Sequence, residues 1–246
     1  MSITNQTNRE LHALLNACAE LFEGKFKTAL NQHLPNAQSY PDGAFMLFLA
    51  KSFKTCRAIL ILTSNGYGED AIALLRTIFE NHVNLAYIIQ EDSNHRFELF
   101  ITHAHLDYAN KLGKGSETDY EYATKLHNAE KARIKQMYAG YNPRNTWSHL
   151  SLGKLSEIVN CKNGYDKIYW LLSQQTHPHA KMLGNYTTNG SPDDNPSPRM
   201  IEEALIYSIE FILKLLSLTN EKYSCGLGAD IDKLSQTHQK LIPIPK

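Results

Sequence analysis

The spacing of apolar residues constrains this chain more than any other feature of its sequence. Nearly everywhere, apolar side chains recur at intervals of three and four, as Leu11, Leu14, Leu15 and Cys18 do near the start. No stretch shows the sustained alternation of apolar and polar residues, bounded by turns, that marks a β-strand. The pattern therefore predicts an all-α fold, a helical bundle of roughly seven to nine helices.

Turn residues divide this pattern into separate helices. They are predicted at about 8–32, 44–63, 69–90, 94–112, 117–138 and 151–159, from 165 onward, at 200–220 and within 226–241. The stretch Tyr-Pro-Asp-Gly at 40–43 is predicted to be a break before the second helix. Residues 185–199 are rich in Gly, Pro, Ser, Asn and Asp, so we expect a mobile loop there. Because no repeat or linker is visible, residues 1–246 are predicted to form a single domain.

The charge balance argues against one class of function. The chain carries 25 basic and 25 acidic residues, so its formal net charge is zero. A protein that grips long nucleic acid usually has a diffuse positive field, and that field is missing here. A local basic patch remains compatible with the composition.

Targeting and membrane signals are weak in this sequence. The first ten residues have neither a charged start nor an apolar stretch, so we read no signal peptide. The longest apolar region, 45–63, is interrupted by Lys51, Lys54 and Arg57, which a membrane span would rarely tolerate. The cysteines lie far apart with no CxxC pair, which argues against a zinc knuckle or a disulfide framework: Cys18, Cys56, Cys161 and Cys225. We therefore expect a soluble, cytoplasmic protein with reduced cysteines.

A ladder of polar side chains follows residue 165. Tyr165, Tyr169, Ser173 and His177 recur at steps of four, which places them on one slowly turning stripe of a helix. Pro178 disfavours helical geometry at His177, so the helix should end there and leave the imidazole beside unpaired carbonyls. Such a position favours the charged imidazolium. The stripe is either the half-wet face of an ordinary helix or one wall of a functional site.

A second polar stripe lies in the third helix. Arg76, Glu80, Asn84 and Tyr87 fall within about 80° of one another, and the other sides of that helix are apolar. Arg76 and Glu80 are spaced to pair. On a solvent-facing side the pair would be a routine surface ion pair, whereas an inward-facing pair would need hydrogen-bonding company. Tyr169, Ser173 and His177 of the ladder are suitable company, so the two stripes are predicted to form a polar centre.

The same stretches carry a resemblance. "ALLRTIFENHVNLAYI", a lone tryptophan before a short helix, and "YWLLSQQTHP" resemble an uncharacterised bacterial family known as domain of unknown function 5677, over roughly residues 45–215. The resemblance implies an all-helical fold and no established activity. The matching residues are Arg76, Glu80, Trp147, Tyr169, Ser173 and His177. The family pattern usually has an arginine after the ladder tyrosine, where this chain has Trp170.

A weaker resemblance is to the HEPN ribonucleases, helical toxins and defence effectors with an arginine, four to six residues, and then a histidine. The stretches with this spacing are "RTIFENH" (Arg76, His82), "RFELFITH" (Arg96, His103) and "RNTWSH" (Arg144, His149). The last fits best, because a polar residue follows the arginine. In that chemistry the histidine would act as general acid or base on the ribose hydroxyl, and the arginine would stabilise the charge at phosphorus.

Other motifs point to no metal and no cofactor. His103, His105 and Asp107 follow the HxHxD order of metallohydrolases, but their flanks are helical in pattern, and residues two apart on a helix diverge. The glycine stretches "NGYG" and "CGLG" lack the strand, spacing and lysine of a phosphate loop. No GxSxG nucleophile elbow occurs.

These observations leave two classes of function open. The first is a metal-independent ribonuclease of the defence or toxin type, with His177, Arg76, Glu80, Tyr169 and Ser173 as its site, or alternatively His149 with Arg144. The second is non-catalytic. It is either a helical binding module in which Arg76 and His177 hold an anionic small molecule or lock the bundle, or a dimeric interaction protein that uses the apolar helix "FILKLLSL" as its interface. The expected partner is accordingly RNA, an anionic small molecule or a second copy of the chain. We expect no binding to a membrane.

Overall fold

The computed structural model describes residues 6–33, 40–112, 116–176, 187–188, 191–192, 195–196 and 198–242. Helices dominate these residues, so the predicted all-α fold is confirmed. The helices are α1 (Gln6–Leu21), α2 (Lys27–His33), α3 (Tyr40–Ser64), α4 (Gly68–Gln90), α5 (Ser93–Leu112), α6 (Glu117–Met137), α7 (Leu152–Ile158), α8 (Lys162–Gly164), α9 (Trp170–Thr176), α10 (Ile201–Tyr223) and α11 (Gly228–Leu241). Two π-helical segments, Phe22–Phe26 and Tyr165–Tyr169, join α1 to α2 and α8 to α9.

Most predicted boundaries agree with the structure to within a few residues, but the start of α3 does not. The stretch at 40–43 was predicted to be a break, and that prediction is wrong, because α3 already begins at Tyr40. Pro41 occupies the first turn, where a backbone N–H would have no helical partner and its absence costs little. Asp42 lies in the same turn and interacts favourably with the positive end of the helix dipole.

A tight turn connects α3 to α4. Gly66 has a φ of +85°, which glycine adopts at no steric cost, and the Tyr67 N–H donates to the Leu62 carbonyl at 2.9 Å. Further along the two helices, Asn81 Nδ2 donates to Ser52 Oγ at 3.0 Å. These contacts establish the antiparallel hairpin that the sequence predicts, and they fix the position of Arg76 on α4.

The chain divides into two compact units. One comprises Met1–Ala37, Phe45–His82 and Asn163–Lys246, and the other comprises Gln38–Ala44 and Val83–Lys162. In the first unit α1, α10 and α11 pack on one another, and the fully buried aromatic rings include Phe26, Phe45, Phe79 and Phe211. Burial of each such side chain contributes about 2–3 kcal/mol to folding. Whether the units behave as a single domain, as predicted, stays a prediction.

The second unit is organised around the packing of α5 on α6. The buried face of α6 consists of Ala123, His127, Glu130 and Ile134, which recur at helical spacing. Half of this face is therefore polar, although it is turned away from solvent. Buried polar groups need hydrogen-bonding partners, so His127 and Glu130 should each contact a polar group on a neighbouring segment or turn.

The predicted loop at 185–199 is only partly described. Thr187–Thr188 (β1) and Ser191–Pro192 (β2) pair antiparallel, and two residues in each strand are too few to form a layer of the fold. The mobility of the loop stays a prediction. None of the described helices is both long enough and apolar enough to span a bilayer.

Candidate functional site

The two polar stripes predicted from the sequence meet in the first unit. Arg76 Nε on α4 donates to Glu80 Oε1 at 2.6 Å, one turn further along the same helix. Arg76 Nη2 donates to the hydroxyl oxygen of Tyr169 at 2.8 Å. The side chains of Arg76 and Glu80 remain 27% and 35% exposed. The Arg76 guanidinium is thus hydrogen-bonded on two sides but stays in contact with solvent. The name Arg76 site is used below for the group Arg76, Glu80, Tyr165, Tyr169 and Ser173.

A π-helical turn shapes the aromatic wall of this site. Tyr165 and Tyr169 are the first and last residues of the π-helical segment, and their rings stack at 4.7 Å between centroids with 17° between planes. Both rings also contact the fully buried ring of Phe79, at 6.5 Å and 6.2 Å. Phe79 itself packs edge-on against Phe211 at 5.0 Å. The tyrosine that receives the Arg76 hydrogen bond is therefore anchored to the core of this unit.

The environment fixes the protonation states of the two central groups. Burial acts to lower the pKa of Arg76, but the hydrogen bond and the charge of Glu80, together with the two tyrosines, outweigh burial and raise the pKa. Burial raises the pKa of Tyr169, although the Arg76 cation and a hydrogen bond with Ser173 partly oppose the change. At neutral pH, Arg76 is consequently a cation and Tyr169 a protonated phenol.

Among the predicted site residues, the structure therefore brings together Arg76, Glu80, Tyr169 and Ser173. His177 lies outside the described residues, so its role stays a prediction. The remaining members of the α4 stripe belong to the second unit and have structural partners there. Asn84 accepts a hydrogen bond from the Trp147 indole at 3.0 Å, and Tyr87 is 3% exposed.

The alternative pair, Arg144 and His149, lies in the irregular segment between α6 and α7. The Arg144 side chain is exposed, whereas His149 is buried and adopts the left-handed conformation, with a φ of +56°. His149 Nδ1 donates to the Arg144 backbone carbonyl at 3.0 Å, and its other ring nitrogen lies 3.2 Å from His127 Nδ1. Both ring nitrogens are engaged inside the second unit, which does not favour His149 as an acid or base for an external substrate.

This contact belongs to a buried cluster that sequence reasoning missed. His127 on α6 contacts His149, reaches Thr102 Oγ1 at 3.2 Å and lies 5.5 Å, ring to ring, from His103. Burial, together with the neighbouring His149 and His103, lowers the pKa of His127 to about 4. We name these four residues the buried histidine cluster. The signal in the sequence was the apolar spacing of α6, which places His127 on the buried face.

The other arginine with a following histidine has a structural role. Arg96 is 8% exposed, and its Nη1 donates to the Tyr87 carbonyl in the last turn of α4, where backbone carbonyls lack helical partners. Its guanidinium also lies 3.9 Å from the centre of the Tyr87 ring. On α6, Arg133 donates two hydrogen bonds to the buried Glu130 carboxylate, at 2.7 Å and 2.6 Å, so this buried charge is also paired.

The HxHxD motif lies entirely within α5, as its helical flanks predict. Across the described part of the chain, no group of three or more histidine, cysteine or acidic side chains is arranged to hold a metal ion. His103 instead joins the buried histidine cluster, while His105 and Asp107 are exposed.

Comparison with known proteins identifies the family of this chain. No curated protein and no solved structure shows significant similarity to the chain. A family of unknown function, DUF5677, matches residues 42–196, which include nearly all of α3, the whole of α4 to α9 and all described residues of the Arg76 site. The match covers more than half of the sequence, and it agrees with the resemblance seen in the residues themselves. The chain belongs to the DUF5677 family, whose members have no known function.

Proposed function

We propose that this protein is a helical binding module that recognises a phosphorylated small molecule carrying free hydroxyl groups, such as a nucleotide or sugar phosphate, at the Arg76 site. One observation carries the proposal: the Arg76 guanidinium is oriented by both Glu80 and Tyr169 while its side chain stays 27% exposed. Orientation before binding lowers the entropic cost of capturing a ligand.

The guanidinium has binding capacity left. Glu80 occupies Nε and Tyr169 occupies Nη2, while Nη1 has no partner within the described ranges. A planar guanidinium matches the oxygens of phosphate or carboxylate, and hydrogen bonds between charged groups are roughly twice as strong as neutral ones. We infer that Nη1 would contact one anionic oxygen of the ligand.

The neighbouring carboxylate restricts the ligand further. Glu80 offsets the charge of Arg76, so a bare anion would be repelled by one partner while it is attracted by the other. A ligand that also donates hydrogen bonds to the carboxylate satisfies both. The hydroxyl groups of a ribose or another sugar provide such donors, which is the reason for preferring a nucleotide or sugar phosphate to inorganic phosphate.

The described groups favour binding over catalysis. General acid–base chemistry needs a group that titrates near the working pH, and the pKa values of Arg76 and Tyr169 are both raised above their already high ordinary values. A ribonuclease at this site would therefore need another group, Glu80 or His177, as its acid or base. The alternative histidine, His149, is engaged at both ring nitrogens. Ribonuclease activity, a role in defence and a homodimer all stay predictions.

The test is a binding titration by calorimetry with inorganic phosphate, glucose 6-phosphate, adenosine, AMP and ATP. We expect at least one phosphorylated ligand to bind, and Arg76→Lys or Tyr169→Phe to weaken it by about tenfold. Arg9→Lys is the matched control, because Arg9 is exposed on α1, outside the site. Equal affinity in Arg76→Lys and Arg9→Lys would contradict the proposal.

A second assay separates binding from catalysis. The protein is incubated with a short single-stranded RNA without divalent metal, beside His177→Ala and His149→Ala. Cleavage that His177→Ala abolishes, in a variant with an unchanged melting temperature, would replace the binding module with a ribonuclease at the same site. Intact RNA together with nucleotide binding would support the module.

A further inference from the structure

A separate groove lies in the first unit, between α3 and the segment that runs from Phe22 into α2. Its volume is about 350 Å³, within the range of small-molecule pockets. Its lining consists of Phe22, Glu23, Lys27, Leu30, Asn31, Met46, Leu49, Ala50, Phe53, Lys54 and Arg57. We name this feature the α3 groove. It shares no residue with the Arg76 site, so a ligand in the groove is independent of the function proposed for that site.

The floor of the groove is apolar and well ordered by packing. Phe22 and Phe53 stack face to face, with 3.7 Å between ring centroids and 4° between planes. Leu30 and Leu49 are buried beside them, and Met46 is 45% exposed. An apolar surface of this kind gains free energy when a hydrocarbon chain displaces its water.

A π-helical turn forms one wall. The Lys27 N–H donates to the carbonyls of both Gly24 and Phe22, so one hydrogen bond spans five residues instead of four. Such turns within α-helices occur frequently at functional sites.

The rim of the groove is positively charged. It carries three cations, Lys27, Lys54 and Arg57, and a single carboxylate, Glu23. Glu23 already pairs with Lys27 at 2.6 Å and with Arg57 at 2.5 Å. Lys54 is exposed and has no ion pair or hydrogen bond with any described residue. The groove thus combines an apolar floor with an uncompensated cation at its edge.

From this combination we propose that the α3 groove binds a free long-chain carboxylate, a fatty acid. The hydrocarbon chain lies along the exposed Met46 and Ala50, above the packed Phe22–Phe53 pair, and the carboxylate pairs with Lys54. A fatty acid is the occupant that fits best, because it offers one unbranched apolar chain and one negative charge. The rim has a surplus of positive charge, which favours an anionic head group over a neutral one.

The proposal is tested by displacement of a fluorescent fatty acid with palmitate and with methyl palmitate, which lacks the charge. We expect palmitate to compete and the ester to compete about tenfold less well, since hydrogen bonds to charged groups are the stronger ones. Lys54→Glu should weaken palmitate binding by a similar factor. Ala50→Phe fills the groove from the exposed side of α3 and should abolish binding.

Lys51→Glu is the matched control, because Lys51 is exposed on α3 but does not line the groove. It should leave palmitate affinity within twofold of wild type, a change below about 0.5 kcal/mol. Failure of palmitate to bind, or equal binding to wild type and Ala50→Phe, would overturn the proposal. Binding to anionic phospholipid vesicles alone, lost equally in Lys51→Glu and Lys54→Glu, would also overturn it and indicate a charged membrane-contact face instead. Melting temperatures near wild type confirm that each variant is folded.

Discussion

The hydrogen bond between Arg76 and Tyr169 can be measured directly, and it decides whether the Arg76 site exists in solution. Tyr169→Phe removes only the hydroxyl and keeps the ring that stacks on Tyr165. Arg76→Met removes the guanidinium but retains a flexible apolar side chain. The two single variants and the double variant form, with wild type, a cycle that isolates the interaction between these two side chains.

The expected coupling follows from the geometry. A buried hydrogen bond to a charged group contributes about 1.5–3 kcal/mol. Arg76 is 27% exposed, so solvent screens part of this interaction and about 1 kcal/mol should remain. For a chain of this size that free energy corresponds to a shift in melting temperature of about 2–4 °C. The bond between Arg76 and Glu80 is lost in both variants that lack the guanidinium, so the cycle cancels it.

Thermal denaturation followed by circular dichroism provides the assay, with urea unfolding as a check on the free energies. We expect Tyr169→Phe to lower stability in the presence of Arg76 and to lower it less in the Arg76→Met background, where the loss of the hydrogen bond with Ser173 is common to both backgrounds and cancels in the cycle. Effects that add within about 0.3 kcal/mol would show that the two side chains do not interact, and the reasoning about the site would fail. A coupling well above 3 kcal/mol would instead indicate a structural lock, and binding at Arg76 would need another explanation.

Two further predictions concern stability. Burial, with Lys214 nearby, lowers the pKa of His82 to about 3 in the folded protein. As the pH falls below about 6.5, this histidine is protonated in the unfolded chain but not in the folded one. The free energy of unfolding therefore decreases until the pH reaches the pKa of the folded state. The free energy of unfolding should fall by about 2 kcal/mol less in His82→Gln than in wild type between about pH 7 and pH 5. Urea unfolding at both pH values measures this difference. Equal decreases in the two proteins would contradict the prediction. Gly68→Ala would place a Cβ 2.0 Å from the Arg199 carbonyl oxygen, so it should destabilise the chain by about 1–3 kcal/mol; an unchanged melting temperature would disprove the close approach.

The helices could be predicted because most of them have one clearly apolar face, and the departures have local causes. The start of α3 was placed too late because proline and glycine usually mark turns, whereas Pro41 here occupies the first turn of a helix. The π-helical segments were not predicted. Each inserts a single residue into a helical turn, and a pattern of apolar residues at intervals of three and four tolerates such an insertion without a visible break.

The Arg76 site could be predicted in part because both of its stripes are visible in the sequence. Arg76 and Glu80 are one turn apart on α4, and Tyr169 and Ser173 are one turn apart in the ladder. Their meeting could not be derived, because it depends on how α4 packs against the π-helical segment rather than on the spacing within either. The buried histidine cluster was missed for a different reason: His127 stands on an apolar face, where a histidine usually indicates nothing more than a satisfied core residue.

The arginine-to-histidine spacing shows how far a short motif can be interpreted without burial. It occurs at three places, and in each the arginine and the histidine side chains lie in different surroundings. Arg76 contacts Tyr169 while His82 packs against Phe211, and Arg96 contacts the end of α4 while His103 lies beside His127. At the third place the Arg144 side chain is exposed, whereas the His149 ring is buried and contacts the Arg144 backbone carbonyl. A catalytic pair must present both groups to one substrate, so the contacts of the described residues do not favour these pairs, and their catalytic role stays a prediction. The ladder offers a further acid or base at the Arg76 site, His177, which the arginine-to-histidine spacing does not specify, and His177→Ala is the variant that tests it.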